Sequence, residues 1–275
     1  MLMRGTLHAS SHALLYTCQL THVKQETAMS VFQLALDAHI LVGTVVLASF
    51  WTAALAAKGS TVHRRAGRVY ALAMAALLAM TLVMTAGMVL DGDPRRALFN
   101  VYVSLISVVS VWIAWSSVAF KHDIDRYLGW PYKLLCAALL VYGLFVLSLA
   151  PRMPNAARSA LVVAFAVLGL SIAAAMIWRL VKRADSPRWW LAEHLTGMGI
   201  NFAATHASFS ILAGGGVFPA LKEPWVRTAI LVAWMCSALV VRLWAGRRFL
   251  ARSAADRPTG RSRATGSVVS AAQNR

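Results

Sequence analysis

The stretch VYALAMAALLAMTLVMTAGMVL, residues 69–90, runs for twenty-two positions without a charged side chain. At 1.5 Å per residue a helix of that length covers about 33 Å, enough to cross a hydrocarbon core of ~30 Å. No strong breaker interrupts it, so it reads as a spanning helix rather than a buried core element. The neighbouring ALFNVYVSLISVVSVWIAWSSVAF, residues 97–120, repeats the pattern with Asn100 as its main polar intrusion.

The whole chain follows suit. Of its 275 residues 59% are hydrophobic and 13% charged, and the mean hydropathy is +0.63, which excludes an ordinary water-soluble domain. The expected fold is all-α, a polytopic transmembrane helical bundle of seven spans near 33–57, 68–90, 97–120, 131–150, 159–180, 191–213 and 225–246. The sixth has the weakest signal, because LTGMGINFAATHASFSILAGGG (195–216) mixes Gly, Asn, Thr and His. Its glycines at 214 to 216 are expected to end a helix and open an outer loop. Trp130 with Pro131, Pro224 with Trp225, and the pair Trp189 and Trp190 mark interfacial helix starts. Residues 31–248 form the membrane domain. Residues 1–30 read as a poorly ordered lead with Met29 as an alternative start, and 249–275 as a disordered basic cytoplasmic tail.

Charge sets the orientation. Nineteen of the 27 Lys and Arg fall on alternate connections and the tail, so the positive-inside bias places the N-terminus outside and the C-terminus in the cytoplasm. KGSTVHRRAGRVY, residues 58–70, is then a cytoplasmic turn in which Lys58, Arg64, Arg65 and Arg68 fix topology and attract anionic headgroups. The net charge of +17 does not point to nucleic acid, since the basic residues are spread over membrane-flanking loops. The bilayer and its anionic lipids are the expected partners, and small-residue faces such as Ala71, Ala75, Ala79 and Gly87 offer close helix packing, within one chain or between copies. Cys18, Cys136 and Cys236 are too far apart for a disulfide framework or a CxxC motif.

Chemistry falls to ionisable groups in or near the bilayer, because they are costly there. His39 and His206 each lie about 10 Å in from the outer end of their spans, and His194 shares an inner level with His63 and His122. Two levels of neutral imidazole suit haem b or transmembrane redox. His194 and His206 are twelve positions apart, about 120° around a helix and ~18 Å along it. His194 instead aligns with Asn201 and Thr205 in a polar stripe, whose plainer role is interhelical hydrogen bonding. No metal-ligand cluster, catalytic triad or nucleotide motif of recognised spacing occurs.

Residues 38–74, with His39, Lys58, Gly59, His63, Arg64, Arg65, Gly67, Arg68 and Tyr70, resemble the N-terminal signature of an uncharacterised family of bacterial predicted membrane proteins, a domain-of-unknown-function group. Ala66 stands where that signature usually has Leu. The resemblance implies a multi-pass protein of the bacterial inner membrane in which His39 and His63 have a purpose, and it names no reaction. Three classes of function follow: haem b or redox chemistry through His39, His206, His194, His122 and His63; transport of a small solute or lipid through a midplane cavity lined by Asn201 and Thr205; and a non-catalytic sensor or interaction module.

Overall fold

A computed structural model of the chain describes residues 31–183 and 186–250. The lead before residue 31 and the tail beyond 250, with Cys18 and Met29, lie outside the described residues. Eight α-helices occur among them: α1 (Val31–Leu55), α2 (Thr61–Leu90), α3 (Pro94–Ala119), the single turn α4 (Ile124–Tyr127), α5 (Trp130–Leu149), α6 (Ala156–Lys182), α7 (Trp189–Val217) and α8 (Pro224–Leu250). Short 3-10 turns join α5 to α6 and α7 to α8.

Among the described residues, six helices are long and apolar enough to cross a membrane. α7 is as long, at 29 residues, but its Gly, Asn, Thr and His content keeps it out of that set. It runs on through the glycines at 214 to 216 to Val217, past the end expected from the sequence. Glycine weakens a helix interior by only about 1 kcal/mol, too little to break one held by its neighbours.

Local chemistry explains the helix starts. Ser60 Oγ accepts the His63 backbone N–H at 3.2 Å, Asp93 Oδ1 that of Arg96 at 3.1 Å, and Asn155 Oδ1 that of Arg158 at 2.9 Å, each satisfying an otherwise unpaired donor of a first turn. Gly59 and Gly92 have φ of 78° and 77°, which lets the chain reverse within a few residues at either end of α2.

α3 and α7 hold the bundle together. α3 packs against α2, α5 and α7, and α7 packs against α3 and α8, while α5 lies along α6 and α8 also touches α6. The larger core lies among α3, α5 and α6 around Tyr102, Ile106, Tyr132 and Leu139. Tyr102 donates to Ala166 O at 3.3 Å, and a Cβ at Gly169 would sit 2.0 Å from its hydroxyl. The smaller core joins α1 and α2 to α7 through Val46, Phe50, Tyr70, Met74, Met198 and Phe202.

The alanine stripe of α2 takes no part in that packing. Ala75 and Ala79 are exposed, whereas Tyr70, Ala73 and Met74 are buried, so the face of α2 turned toward α1 is a different one, filled chiefly by Tyr70 and Met74. Gly87 does meet a neighbour, with Phe32 Cδ2 3.1 Å from where its Cβ would be.

The basic loops gather at one end, and most exposed tryptophans join them. Trp51, Trp115, Trp130, Trp178 and Trp244 lie near that end of their helices, and only Trp225 of the strongly exposed indoles lies at the other. Lys182 sits 5.1 Å from the Trp178 ring centre and Arg248 5.3 Å from that of Trp244. Paired indoles and cations of this kind suit a headgroup layer.

At Gly197 of α7 a Cβ would come within 2.6 Å of both Ala114 N and Ser110 O of α3. Gly197→Val should therefore destabilise the protein by roughly 1–3 kcal/mol or more, whereas Gly67→Ala, with nothing within 4 Å, should stabilise α2 by up to about 1 kcal/mol. Thermal unfolding of the two variants in detergent, followed by circular dichroism, tests the opposite signs.

Candidate functional site: the histidine levels

At the basic end, the turn between α1 and α2 places Lys58 and His63 on the same carbonyl, that of Ala53. Lys58 Nζ donates to the carbonyls of Ala53 at 3.3 Å and Ala54 at 2.5 Å, closing the last turn of α1. Partial desolvation there pulls the ammonium below its ordinary pKa. The Ser60 cap fixes the first turn of α2, so that His63 Nδ1 meets Ala53 O at 2.9 Å. Across the bundle, His194 Nδ1 meets Ala114 O of α3 at 2.8 Å. A carbonyl only accepts, so both Nδ1 atoms carry a proton, and in the neutral form of either ring Nε2 keeps the lone pair. Neither Nε2 makes a hydrogen bond among the described residues. His63, Lys58 and His194 thus share the basic end of the bundle.

His122, the third member expected at this level, is exposed in the turn after α3. Arg64 bonds back to Gly59 O, and Arg65 and Arg68 are exposed.

Deeper in, the polar stripe is closed. Ser110 Oγ donates to Asn201 Oδ1 at 3.0 Å, and Asn201 Nδ2 donates to Gly197 O at 3.0 Å. Thr205 Oγ1 donates to Asn201 O at 2.7 Å. Asn201 is fully buried, and these bonds satisfy it without a solute.

The outer pair does not form. His206 Nδ1 donates to Phe202 O at 2.8 Å, and its Nε2 accepts from Trp51 Nε1 at 3.0 Å, so both ring nitrogens are spent. Phe50, Trp51, Phe202 and Trp234 surround the ring with centroids 4.4 to 5.8 Å away. His39 lies twelve residues from Trp51 along α1, about 18 Å, and faces α2 with Nδ1 3.4 Å from Thr81 Oγ1. Counting depth from span ends misses this because an indole reaches several ångströms along the helix axis, and because the two helices are not in register.

A second polar centre at the basic end involves two residues that the sequence does not single out. Glu193 Oε1 accepts from Arg179 Nε of α6 at 2.8 Å, and its Oε2 accepts from Tyr127 of α4 at 2.9 Å. The side chains of Arg179 and Glu193 are 11% and 13% exposed. The paired charges are thus nearly dry, and each oxygen of the carboxylate has a donor. Arg179 also donates to Arg183 O at 2.8 Å, and Arg183 pairs with Asp125. Two further donors, Tyr70 Oη and Trp112 Nε1, are buried without a partner among the described residues. Tyr70 packs on Phe50 at 5.9 Å between centroids.

No family model, no curated protein and no solved structure matches the chain.

Removing Glu193 would take the carboxylate of the ion pair away from a guanidinium that is only 11% exposed. Glu193→Ala should therefore cost roughly 3–5 kcal/mol, and Tyr127→Phe, which removes one donor and leaves the ion pair, about 0.5–1.5 kcal/mol. Unfolding midpoints in detergent for both variants check the ranking.

Proposed function

We propose that the chain is a multi-pass membrane protein of seven spans, N-terminus outside and basic loops in the cytoplasm, whose chemistry resides in the imidazoles of His63 and His194. The orientation follows from the charge asymmetry. A C-terminal fluorescent protein that matures only in cytoplasm should glow, and a dark, intact fusion would reverse the topology.

The observation that carries the reading is the state of the two rings. Each has Nδ1–H committed to a backbone carbonyl and Nε2 unengaged, the way neutral imidazoles are prepared as iron ligands. In this reading haem b would take two nitrogen donors for its iron from His63 and His194, and the cations of Lys58, Arg64, Arg65 and Arg68 would balance its carboxylates. When bound, haem supplies reversible one-electron chemistry. The chain's own contribution is to hold each ring in one tautomer and orientation, with the Lys58 ammonium on the same Ala53 carbonyl as His63. His206 and His39 do not fit a second haem, for the reasons of geometry above. Transport through the Asn201 and Thr205 stripe is disfavoured too, because both side chains are hydrogen-bonded within the bundle and Asn201 is fully buried. The resemblance of residues 38–74 to a membrane family draws attention to the same Lys58 and His63.

An oxidised-minus-reduced absorption spectrum of protein produced with ample haem tests this. A Soret shift with an alpha band is expected, lost in His63→Ala and His194→Ala and kept in His206→Ala. A flat spectrum from well-folded protein would overturn haem binding and leave proton exchange at the two Nε2 atoms as the reading to pursue.

A further inference from the structure

Between the basic-end halves of α7 and α8 runs a groove of about 270 Å³ lined by Ala192, Leu195, Arg242, Leu243, Gly246 and Arg247. Its walls combine apolar side chains with two guanidinium groups, and no carboxylate lines it. The nearest in sequence, Glu193, is already engaged by Arg179 and Tyr127.

Arg242 is held in place. Its Nε donates to Thr196 Oγ1 of α7 at 2.9 Å, and Thr196 in turn donates to Ala192 O at 2.8 Å. One of five N–H donors is spent on orientation, and the others remain for an anion. Arg247, one and a half turns further on, brings a second charge to the same groove. Trp244 between them is 55% exposed, with Arg248 over its ring, which sets the groove at headgroup level.

From this combination we infer that the α7–α8 groove is a binding site for an anionic phospholipid, its phosphodiester held by Arg242 and Arg247 and its glycerol and upper acyl carbons against Leu195, Leu243 and Ala192. A fixed guanidinium presents paired donors that match two phosphate oxygens. Basic pockets between membrane helices bind acidic headgroups in this manner. The apolar wall decides the source, since a free phosphate would gain nothing from it while a lipid buries hydrocarbon there.

The experiment is native mass spectrometry of the detergent-purified full chain titrated with phosphatidylglycerol, and separately with phosphatidylcholine. Wild type should retain phosphatidylglycerol roughly tenfold or more over phosphatidylcholine, and the R242Q/R247Q double variant should fall to the phosphatidylcholine level. Arg247→Gln alone leaves the Arg242–Thr196 bond between the helices intact, so it guards against a folding artefact and should lower retention several-fold. Lys133→Gln, an exposed basic-end change outside the groove, should retain lipid as wild type does. Undiminished retention in R242Q/R247Q would overturn the assignment, as would an equal loss in Lys133→Gln. Displacement of the lipid by millimolar inorganic phosphate would also overturn it, in favour of a free-anion site.

Discussion

The approach of α7 to α3 at Gly197 is the constraint on which the other contacts depend. With no Cβ in the way, the two backbones come close enough for Ser110 to reach Asn201 and for Ala114 O to reach the His194 ring. In an apolar medium, a polar side chain without a partner costs more than the bond itself returns, so a helix as polar as α7 needs that proximity. The same seat turns His194 toward α3 and the α1–α2 turn, and turns His206 toward Trp51. Shifting α7 outward would unsatisfy Asn201 and separate the two inner histidines together.

Much of this architecture is legible in the sequence. The uncharged runs at 69–90 and 97–120 lie almost wholly within α2 and α3, because a long apolar run has no alternative in a bilayer to pairing its own backbone groups. The stripe of His194, Asn201 and Thr205 points inward for the same reason. Placing His63 and His194 at one level needs only the rise per residue. Pairing His39 with His206 demands more: the axial offset of α1 against α7 and the reach of the Trp51 indole, neither of which a one-dimensional count contains.

The Glu193 centre is hidden for a different reason. Tyr127 belongs to a single helical turn in a polar connection, with no periodicity to betray it, and Arg179 reads as one more topology-setting cation at a helix end. What makes them a unit is three helices meeting at one carboxylate. Burying that charge is tolerable only because a guanidinium and a phenol reach it from separate elements, and in doing so they tie α4, α6 and α7 to one another.

The uneven placement of exposed tryptophans has a mechanical consequence. Five indoles, two of them carrying stacked cations, would grip a headgroup layer at the basic end, against Trp225 alone at the other. An anchor fixed on one side leaves the opposite ends of the helices to follow the bilayer. Differences in membrane thickness would thus be absorbed there, away from Lys58, His63 and His194, and those three side chains would keep their depth in thick and thin membranes alike.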